Sequence, residues 1–538
     1  MDREQEQKFY SPLYLAYREG TPEGRSLFES LHTDLSSYGK KADFIRESFP
    51  AEKRKVLRKA LTEYNTGLGA GPKTLENIAL LEGQEALAVV TGQQAGILGG
   101  PLYSFYKAAA AVGLAKKLAR DLGAPVIPVF WIAAEDHDFR EVNHLYLQDR
   151  EGNPRKVELP PRYGPHALEH LPLDREGARE FLEEFCGHLP DTEFKEKVLE
   201  GIQSRLQESS GLTQWFGRLM TWLFAESGLV FFNPLMPGIR PLAAPILKAV
   251  ALKRKEINRV LSLREGEISD LGFPLQVKRE KGHLHLFAFL PGGRAALLWK
   301  GGRVCTRQGE DLGSLEEVAA RIQEEPHKFG PGVLTRPLVQ EEFLPALSYI
   351  GGPGEVSYFA QILPLFPLFS LKAPVLYPRP SLTLLEPRMA DYMKRYGLGE
   401  EDLFRVREAR EAYLHSQGLE GLDEAFSGLE GRIREEYRGL KTLLSRVDRG
   451  LEPLADKNLG RVLQEVAYLQ GKGQQALKEK HKRAVRHFEN LENACLPAGR
   501  LQERAYNIFP YLVKYGPEFI KELRENFPLE GGHRYYRW

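Results

Sequence analysis

Two short apolar runs on either side of an alanine-rich helix constrain the fold of this chain most. The run "ALAVV" (86–90) is followed by "TGQQAGILGGP", by the helical pattern "LYSFYKAAAAVGLAKKLARDLG" and by a second apolar run, "APVIPVFWIAA" (124–134). That order predicts a strand, a tight loop, a helix and a second strand parallel to the first, joined by a right-handed crossover. The pattern therefore predicts an α/β fold with a Rossmann-like parallel sheet as its core.

Two later apolar runs, 228–234 and 332–359, can supply further strands of the same sheet. Between the runs lie a polar stretch and a segment that alternates like small hairpins around Gly292 and Gly301, and both are interpreted as insertions. The predicted boundaries are 1–150 for N-terminal helices and the first part of the core, 151–210 for insertion 1, 211–264 for more core, 265–330 for insertion 2 and 331–387 for the end of the core.

Residues 388–495 are rich in leucine and charge and poor in strand formers. Apolar residues recur seven apart, and the pattern predicts two long helices paired as an antiparallel coiled coil, the second spanning 453–494 and about 60 Å long. Glu436 and Gly473 interrupt the repeat, so an ordinary helical bundle is the alternative. Residues 496–538 are aromatic and short of acids, and we expect them to fold back on the core.

Charge and cysteine content exclude several functional classes. The 538 residues include 74 Lys and Arg against 73 Asp and Glu. The net charge is therefore close to zero and does not indicate nucleic acid or an acidic membrane as a partner. Three distant cysteines do not form a disulfide framework or a zinc motif, and no run approaches the roughly 18 apolar residues that span a bilayer. We expect a cytoplasmic protein whose partners are small molecules or a second copy of itself.

The glycine-rich stretch at 91–107 is the first candidate site. Amides at a strand-to-helix turn can bind a carboxylate or phosphate, and glycines let it approach the backbone. The spacing matches neither a dinucleotide fingerprint nor a P-loop, because Pro101 follows Gly100. A turn required only for close helix packing is the alternative, and Lys107 is either a ligand or a solvated charge.

The second candidate is "PVFWIAAEDHDFREVNH", where Glu135, Asp136, His137 and Asp138 follow a buried strand. Ligands bind at the carboxyl ends of parallel strands. The carboxylates suit base chemistry or an ammonium group, and the histidine suits proton transfer. His137 and His144 with an acid can also ligate a metal, although no paired metal motif accompanies them, and either Asp136 or Asp138 can instead cap a helix.

The third candidate is "YIGGPGEVSYFAQI" (349–362), another strand-to-helix loop. Glu355 begins the helix, where a carboxylate either stabilises the helix N-terminus or binds a substrate amine, and Tyr358 lies one turn on. Asn233 and Arg240 in "FNPLMPGIRPL" are weaker candidates of the same kind.

The three motifs, in this order, resemble the bacillithiol biosynthesis cysteine-adding enzymes, and the likeness extends to the closing "ERAYNIFPYLVKYG". The resemblance implies a nucleotidyltransferase-like Rossmann core with two connecting-peptide insertions, a C-terminal antiparallel coiled coil and a homodimer. It also implies the reaction, in which the carboxyl of L-cysteine is joined to the amine of glucosaminyl malate. Because amide formation from a carboxylate is uphill, we expect activation by ATP, as an acyl phosphate or an acyl adenylate.

Roles follow from that resemblance as hypotheses. The expected catalytic residues are Glu135, His137, Asp138 and Glu355, and weaker nucleotide contacts are Tyr146, Asn507 and Lys514. The expected substrate-binding residues are Thr91, Gly92, Gln93, Gln94, Gly96, Gly99, Gly100, Tyr103, Lys107, Trp131, Asn143, His144, Asn233 and Tyr358. We expect no metal held by the protein itself, while Mg²⁺ can enter with the nucleotide.

Two other functions are compatible with the sequence. One is a metal-dependent hydrolase or deacetylase built on the acidic-histidine loop, which predicts a tightly bound stoichiometric metal. The other is a non-catalytic scaffold that acts through its coiled coil. This function predicts no binding of cysteine, glucosaminyl malate or nucleotide.

Overall fold

The computed structural model describes residues 3–160 and 163–538, which divide into two compact units. The α/β unit comprises Arg3–Thr383 and Arg500–Arg534, and the helical unit comprises Leu384–Gly499 and Tyr535–Trp538. The C-terminal segment 500–534 thus packs within the α/β unit. The parallel sheet and the paired helices described below confirm the predicted fold class.

The first part of the α/β unit is helical and leads into the predicted strand, helix and strand. Its elements are α1 (Arg3–Phe9), α2 (Pro12–Glu19), α3 (Pro22–Ser26), α4 (Leu35–Ser48), α5 (Ala51–Gly67), α6 (Pro72–Leu80), β1 (Leu87–Gln93), α7 (Leu102–Leu122) and β2 (Val126–Ile132). Strands β1 and β2 pair in parallel along their whole length and are buried almost throughout. Burial on both faces explains why these runs are continuously apolar and do not alternate.

The next part of the chain contains the first insertion and the third strand of the sheet. Its elements are α8 (Phe139–Val142), β3 (His144–Gln148), β4 (Pro154–Glu158), α9 (Arg175–His188), α10 (Lys195–Gln207), α11 (Leu212–Leu223), β5 (Val230–Phe232), α12 (Arg240–Leu252) and α13 (Arg254–Asp270). Strands β3 and β4 form an antiparallel hairpin, and β5 pairs in parallel with β2.

The second insertion and the end of the core follow. The elements are β6 (His283–Leu290), β7 (Gly293–Lys300), β8 (Arg303–Thr306), β9 (Asp311–Gly313), α14 (Leu315–Glu324), β10 (Phe329–Pro331), α15 (Arg336–Phe343), β11 (Ala346–Gly351), α16 (Pro353–Ile362), α17 (Leu365–Leu368), β12 (Val375–Pro378) and β13 (Ser381–Leu385). Strands β6 to β10 form an antiparallel sheet of hairpins with the order β10-β6-β7-β8-β9.

The central sheet has the order β12-β11-β1-β2-β5, with every pair parallel. The strand order therefore reverses between β1 and β11, as in the dinucleotide-binding Rossmann sheet. The runs 228–234 and 332–359 supply the strands β5 and β11, as expected. Residues 336–343 of the second run form a helix with a proline near its N-terminus, and the short edge strand β12, which ends in a proline, was not predicted.

The helical unit contains α18 (Pro387–Tyr396), α19 (Val406–Leu414), α20 (Glu420–Val447), α21 (Glu452–Lys480) and α22 (Lys482–Cys495). Helices α20 and α21 run antiparallel, because Lys441 pairs with Asp456 while Asp423 accepts hydrogen bonds from Gln470 and Gln474. The prediction of one helix over 453–494 was wrong, since His481 separates α21 from α22. Met389, Leu403, Phe488 and Leu491 belong to a buried cluster of this unit.

The tail of the chain returns to the α/β unit as α23 (Gln502–Ala505) and α24 (Phe509–Glu525) and ends in β14 (His533–Arg537). The amide of Leu102, at the start of α7, donates to the Tyr506 carbonyl oxygen at 2.7 Å. The buried Arg379 and Glu503 form a two-pronged ion pair at 2.5 and 3.0 Å. The tail is thereby attached beside the loop that precedes α7.

Candidate functional site

A cavity of about 360 Å³ lies at the carboxyl ends of β1 and β11, where the strand order reverses. This is the position at which open α/β sheets bind ligands. We call it the site cavity, and its lining comes from all three candidate motifs and from the second insertion. The lining residues are Gly92, Gln93, Gln94, Trp131, Ala133, Glu135, Asp136, Phe287, Arg294, Pro331, Gly332, Val333, Arg336, Tyr349 and Glu355.

Gly92 lets β1 and β2 approach closely at the floor of the site cavity. A Cβ atom at Gly92 would lie 2.7 Å from the Trp131 carbonyl oxygen and 2.9 Å from the Trp131 Cβ. Both distances are shorter than a real Cβ contact, so a larger residue would push the strands apart. The indole of Trp131 stacks on Phe232, which fixes the ring beside the cavity.

The loop 94–101 follows, and its amides are used within the protein. Gly96, Gly99 and Gly100 donate their N–H groups to carbonyl oxygens of the loop itself. Gly99 and Gly100 have φ of 82° and 74°, a conformation that glycine adopts without strain. In this structure these amides are therefore not free to bind the anion that the glycine motif predicted, and only Gly92, Gln93 and Gln94 of the motif reach the lining.

The buried Lys107 forms an ion pair with Glu355, which lines the site cavity. The Lys107 Nζ atom donates to Glu355 Oε2 at 2.5 Å, to the Gly92 carbonyl oxygen at 2.7 Å and to Gln93 Oε1 at 3.0 Å. Glu355 also accepts from the Tyr349 hydroxyl at 2.6 Å and from the Gly352 amide at 2.8 Å. Burial raises the pKa of Glu355, but Lys107 and these donors outweigh it, so the pKa lies below its ordinary value.

Asp136 is a second carboxylate of the lining and is held by its neighbours. It accepts from Gln94 Nε2 at 2.7 Å and from the His137 amide at 2.7 Å. Burial raises the pKa of Asp136, but the hydrogen bonds from Gln94 and from the His137 amide and the charge of Arg294 outweigh it and hold the pKa well below its ordinary value. Asp136 therefore stays ionised and is a weak base.

His137 contacts a guanidinium that the sequence analysis did not identify. Arg294 Nη1 lies 3.1 Å from His137 Nδ1, and because a guanidinium can only donate, Nδ1 must accept. Nδ1 also lies 3.5 Å from Asp136 Oδ1, a contact that would need a proton on Nδ1, but the shorter Arg294 contact decides the tautomer. The proton of the neutral ring then lies on Nε2.

Arg294 and Arg336 bring positive charge to the site cavity from the second insertion and from α15. Arg294 lies over the Phe287 ring at 3.6 Å, and Arg336 lies over Trp131 and Tyr349 at 5.6 and 5.3 Å. Arg336 also donates to the Tyr358 hydroxyl at 3.1 Å. Among residues 3–160 and 163–538, neither guanidinium has a carboxylate oxygen within 4.0 Å. The two guanidiniums therefore have the charge and the donor geometry that suit an anion.

A strained residue of the second insertion positions the segment that carries Arg336. His285 has a φ of 57°, which is uncommon outside glycine, and its carbonyl oxygen accepts from the Gly332 amide at 2.7 Å and from the Thr335 hydroxyl at 2.6 Å. The Gly332 carbonyl oxygen in turn accepts from the Arg336 amide at 2.8 Å. The turn 332–336 is thus fastened to β6.

Glu135 lines the site cavity but is committed to a buried ion pair. Arg240, only 2% exposed, donates to Glu135 at 2.9 Å and to the carbonyl oxygens of Pro234, Pro326 and Phe329. The pair links the end of β2 to the segment before β10. The Glu135 carboxylate is therefore engaged in a structural ion pair and is not free to accept a proton from a substrate.

The other predicted site residues lie outside the lining. Asp138 is exposed at the start of α8, and Thr91 bonds across to the Ile350 carbonyl oxygen. Asn143 holds the end of the β3–β4 hairpin and contacts His144, whose pKa is lowered by burial. Asn233 is bonded to Glu169. Tyr103, Lys107 and Tyr358 stand behind the lining and orient Gln93, Glu355 and Arg336 respectively.

The residues proposed for the nucleotide lie around the tail. Asn507 is fully buried and spends both amide hydrogens on the carbonyl oxygens of Leu98 and Gly100, at 2.8 and 2.7 Å. Tyr146 lies in β3, where its backbone bridges to Tyr506. Lys514 lies on α24 over the Tyr511 ring. None of the three lines the site cavity.

No group of three or more His, Cys, Asp and Glu side chains in 3–160 and 163–538 is arranged to hold a metal ion. No helix in this part of the chain is both long and apolar enough to cross a membrane.

Arg294 and Arg336 are the main residues that sequence reasoning missed. Each is a lone cation in an otherwise apolar stretch, "PGGRAALL" and "GVLTRPL". One arginine in an apolar stretch predicts a site for an anionic partner, because a buried guanidinium requires a partner. The sequence does not indicate which partner that is.

Comparisons with known proteins agree with these observations. A family model described as "Bacillithiol biosynthesis BshC, N-terminal Rossmann-like domain" matches residues 2–380, and "Bacillithiol biosynthesis BshC, C-terminal coiled-coil domain" matches 382–537. Proteins named "Putative cysteine ligase BshC" are 36% identical over 519 residues in Desulforamulus reducens (96% of this chain, 95% of that protein), 35% identical in Symbiobacterium thermophilum (92% of each) and 31% identical in Bacillus cereus (96% of each). The family predicted from the three motifs is confirmed.

Proposed function

The chain belongs to the bacillithiol biosynthesis BshC family, and on that premise we propose that the site cavity joins the carboxyl of L-cysteine to the amine of glucosaminyl malate. One observation carries the proposal. The same cavity contains two guanidiniums that have no carboxylate partner among the described residues, and two carboxylates held ionised. Both substrates carry carboxylates and an amine, so the charges are complementary.

In the proposed reaction a nucleoside triphosphate activates cysteine. A carboxylate oxygen of cysteine attacks phosphorus, which yields an acyl phosphate and a nucleoside diphosphate, or an acyl adenylate and pyrophosphate. The amine nitrogen of glucosaminyl malate then attacks the acyl carbon, phosphate or AMP leaves, and the amine releases a proton. Mg²⁺ would accompany the nucleotide.

The proposed roles of the residues follow from their charges. Arg294 and Arg336 bind substrate carboxylates, and Asp136 binds an ammonium group, since its low pKa suits a permanent negative charge. Glu355, whose charge is balanced by Lys107, supplies carboxylate oxygens to the lining as hydrogen-bond acceptors. His137 lies outside the lining of the site cavity and keeps Arg294 in place through its Nδ1 atom.

The direct test is to incubate the purified protein with cysteine, glucosaminyl malate and ATP and to follow products by mass spectrometry. Formation of the condensed thiol with stoichiometric ADP or AMP is expected, and the nucleotide product identifies the activated intermediate. The proposal is wrong if ATP is consumed with cysteine alone and no amide forms at any concentration of the amine.

Variants of the two guanidiniums test the site itself. Arg336→Ala should lower kcat/KM about 10- to 150-fold, because a hydrogen bond to a charged group contributes about 1.5–3 kcal/mol. Arg294→Ala should lower kcat/KM by a similar factor. Arg303→Ala is the matched control, since Arg303 lies in the same insertion, half-exposed and paired with Asp311. Equal rates for all three variants, with unchanged circular dichroism, would remove the anion receptor from the proposal.

The assembly and location are also proposals. We propose a cytoplasmic homodimer formed through the coiled-coil domain, which the match to residues 382–537 supports. Exposed apolar side chains on α20 and α21, among them Leu443, Val447 and Leu469, supply surface for such contact. Light scattering after size exclusion measures the mass, and a monomer at micromolar concentration would contradict the dimer. No observation in the structure favours the hydrolase or the scaffold alternative.

A further inference from the structure

A second cavity, of about 170 Å³, adjoins the site cavity in the α/β unit. Phe287, Gly332 and Val333 line both, so the two cavities share this part of their wall. The second cavity is smaller than the roughly 300 Å³ at which pockets for whole small molecules begin. It therefore suits part of a ligand whose remainder lies elsewhere.

The lining of the second cavity is basic, with Lys278, Arg279 and Arg307 against one acid, Glu280. Arg279 is already engaged by Glu265 through two contacts of 2.6 Å, and Arg307 is paired with Glu280. Lys278 is exposed, and within the described ranges no carboxylate lies within 4.0 Å of its ammonium group. One cation of the lining is thus left for a ligand.

Two histidines supply further polar atoms. His285 is 5% exposed, and its buried Nε2 atom has no hydrogen-bond partner within residues 3–160 and 163–538. The His285 amide donates to His283 Nδ1 at 2.8 Å, so the proton of the neutral His283 ring lies on Nε2, where it can donate. Burial and the neighbouring His283 lower the pKa of His285 to about 3. Unpartnered buried nitrogens are rare in folded proteins, and a bound ligand would supply the partner.

Resting on the function proposed above, we propose that the second cavity binds phosphoryl groups of the activating nucleoside triphosphate. Lys278 supplies charge, and His283 and His285 supply ring N–H donors, which is the chemistry that phosphate oxygens require. The shared wall brings such a group to the carboxylate receptor, because Phe287, which lines both cavities, lies under the Arg294 guanidinium at 3.6 Å. A phosphoryl group and a substrate carboxylate would meet at that wall.

Calorimetric titration with tripolyphosphate tests the subsite without turnover. The wild type should bind the probe, and the double variant Lys278→Ala/His283→Gln should bind it at least tenfold more weakly. Lys300→Ala, an exposed lysine of the same sheet, is the matched control and should change the affinity less than twofold. His285→Gly keeps the left-handed backbone accessible while removing the imidazole, and it should weaken binding as well.

Steady-state kinetics give the second readout. For the double variant the KM for ATP should rise about tenfold, while the KM values for cysteine and glucosaminyl malate stay within twofold. A rise confined to the KM for glucosaminyl malate would overturn the proposal and assign the cavity to the malyl carboxylates. Unchanged affinity for tripolyphosphate together with an unchanged KM for ATP would also overturn it.

The two proposals fail separately. If no amide forms but the wild type binds tripolyphosphate and the double variant does not, the reaction is wrong and the phosphoryl subsite stands. If the double variant makes the amide with wild-type kinetics, the subsite is wrong and the reaction stands.

Discussion

The α/β unit and the helical unit each contain a lysine–carboxylate ion pair, and the two pairs differ in solvent exposure. Lys107 and Glu355 pair at 2.5 Å with side chains 3% and 24% exposed, whereas Lys441 and Asp456 pair at 2.7 Å with side chains 37% and 58% exposed. The contacts are nearly equal in length and differ in solvent access. A buried pair fixes the geometry of the groups around it, because a lone charge in that position is costly, while an exposed pair exchanges freely with water.

Apolar residues show the same difference. Strands β1 and β2 are buried almost completely, but in α21 only Ala455 is buried. Leu440 of α20 and Leu454 and Tyr468 of α21 are well exposed. The α/β unit thus has a closed core that holds a polar site, whereas the paired helices leave much of their apolar surface open. Substitutions of one chemical kind should therefore have different effects in the two units.

The largest expected contrast concerns the two ion pairs. Lys107→Met should lower the free energy of unfolding by about 3 kcal/mol, the lower end of the range for breaking a buried pair, because Glu355 loses its cation but is 24% exposed. Lys441→Ala should cause no measurable change. Urea unfolding followed by tryptophan fluorescence measures both, and the double variant Lys107→Met/Glu355→Gln should recover part of the loss. Equal effects of the two lysine variants would contradict the contrast.

Glycine to alanine should change stability in opposite directions. Gly92→Ala should destabilise by about 1–3 kcal/mol, since the new Cβ overlaps the Trp131 carbonyl. Gly439→Ala lies mid-helix on an exposed face with nothing within 4 Å of the new Cβ, and it should stabilise by about 0.5–1 kcal/mol. Thermal melting of both variants gives the signs, and a Gly92→Ala protein as stable as the wild type would refute the close approach of the strands.

A strained and an unstrained histidine form the next pair. His285→Val should be less stable than His285→Gly by about 1–2 kcal/mol, because a β-branched residue resists a φ of 57°. His481, which separates α21 from α22 at a φ of −103°, should accept valine with little change. Melting temperatures of the three variants measure this. If His285→Val matched His285→Gly, the backbone of His285 would not be strained.

The smallest expected effect is in the pH dependence of stability. The pKa of Glu355 is lowered in the folded state, so its contribution is present above the ordinary glutamate pKa of about 4.3 and is lost as the pH falls through the folded value. The difference in unfolding free energy between wild type and Glu355→Gln should therefore shrink between pH 6 and pH 3.5. Lys441→Ala should keep the wild-type slope. A difference that grew on acidification would reverse the assigned direction.

The predictable part of the fold was the part with local signals. Strands β1 and β2 and the helix between them were recognised from "ALAVV", "PVFWI" and the alanine-rich stretch, and the two paired helices from their heptad spacing. Strand β12 and the break at His481 were missed, because a four-residue edge strand and a single non-helical residue barely change the local pattern.

The site was predictable to the level of its location. Three glycine or acidic loops at strand ends were expected to meet, and Gln93, Asp136 and Glu355 do line one cavity. The role of each residue depends on contacts with distant parts of the chain. Lys107 pairs with a residue 248 positions away, and His137 contacts an arginine 157 positions away.

The sequence by itself determined the α/β class, the helical C-terminal region and the family, because apolar periodicity and long motifs are local properties of the chain. Only the tertiary structure decided which charges face the substrate. Arg294 and Arg336 line the cavity because the hairpins of the second insertion and the turn fastened to His285 bring them there. Glu135 is bound by Arg240 in an ion pair and is not free to bind a substrate. Ion pairing depends on distance in space, and a sequence records only distance along the chain.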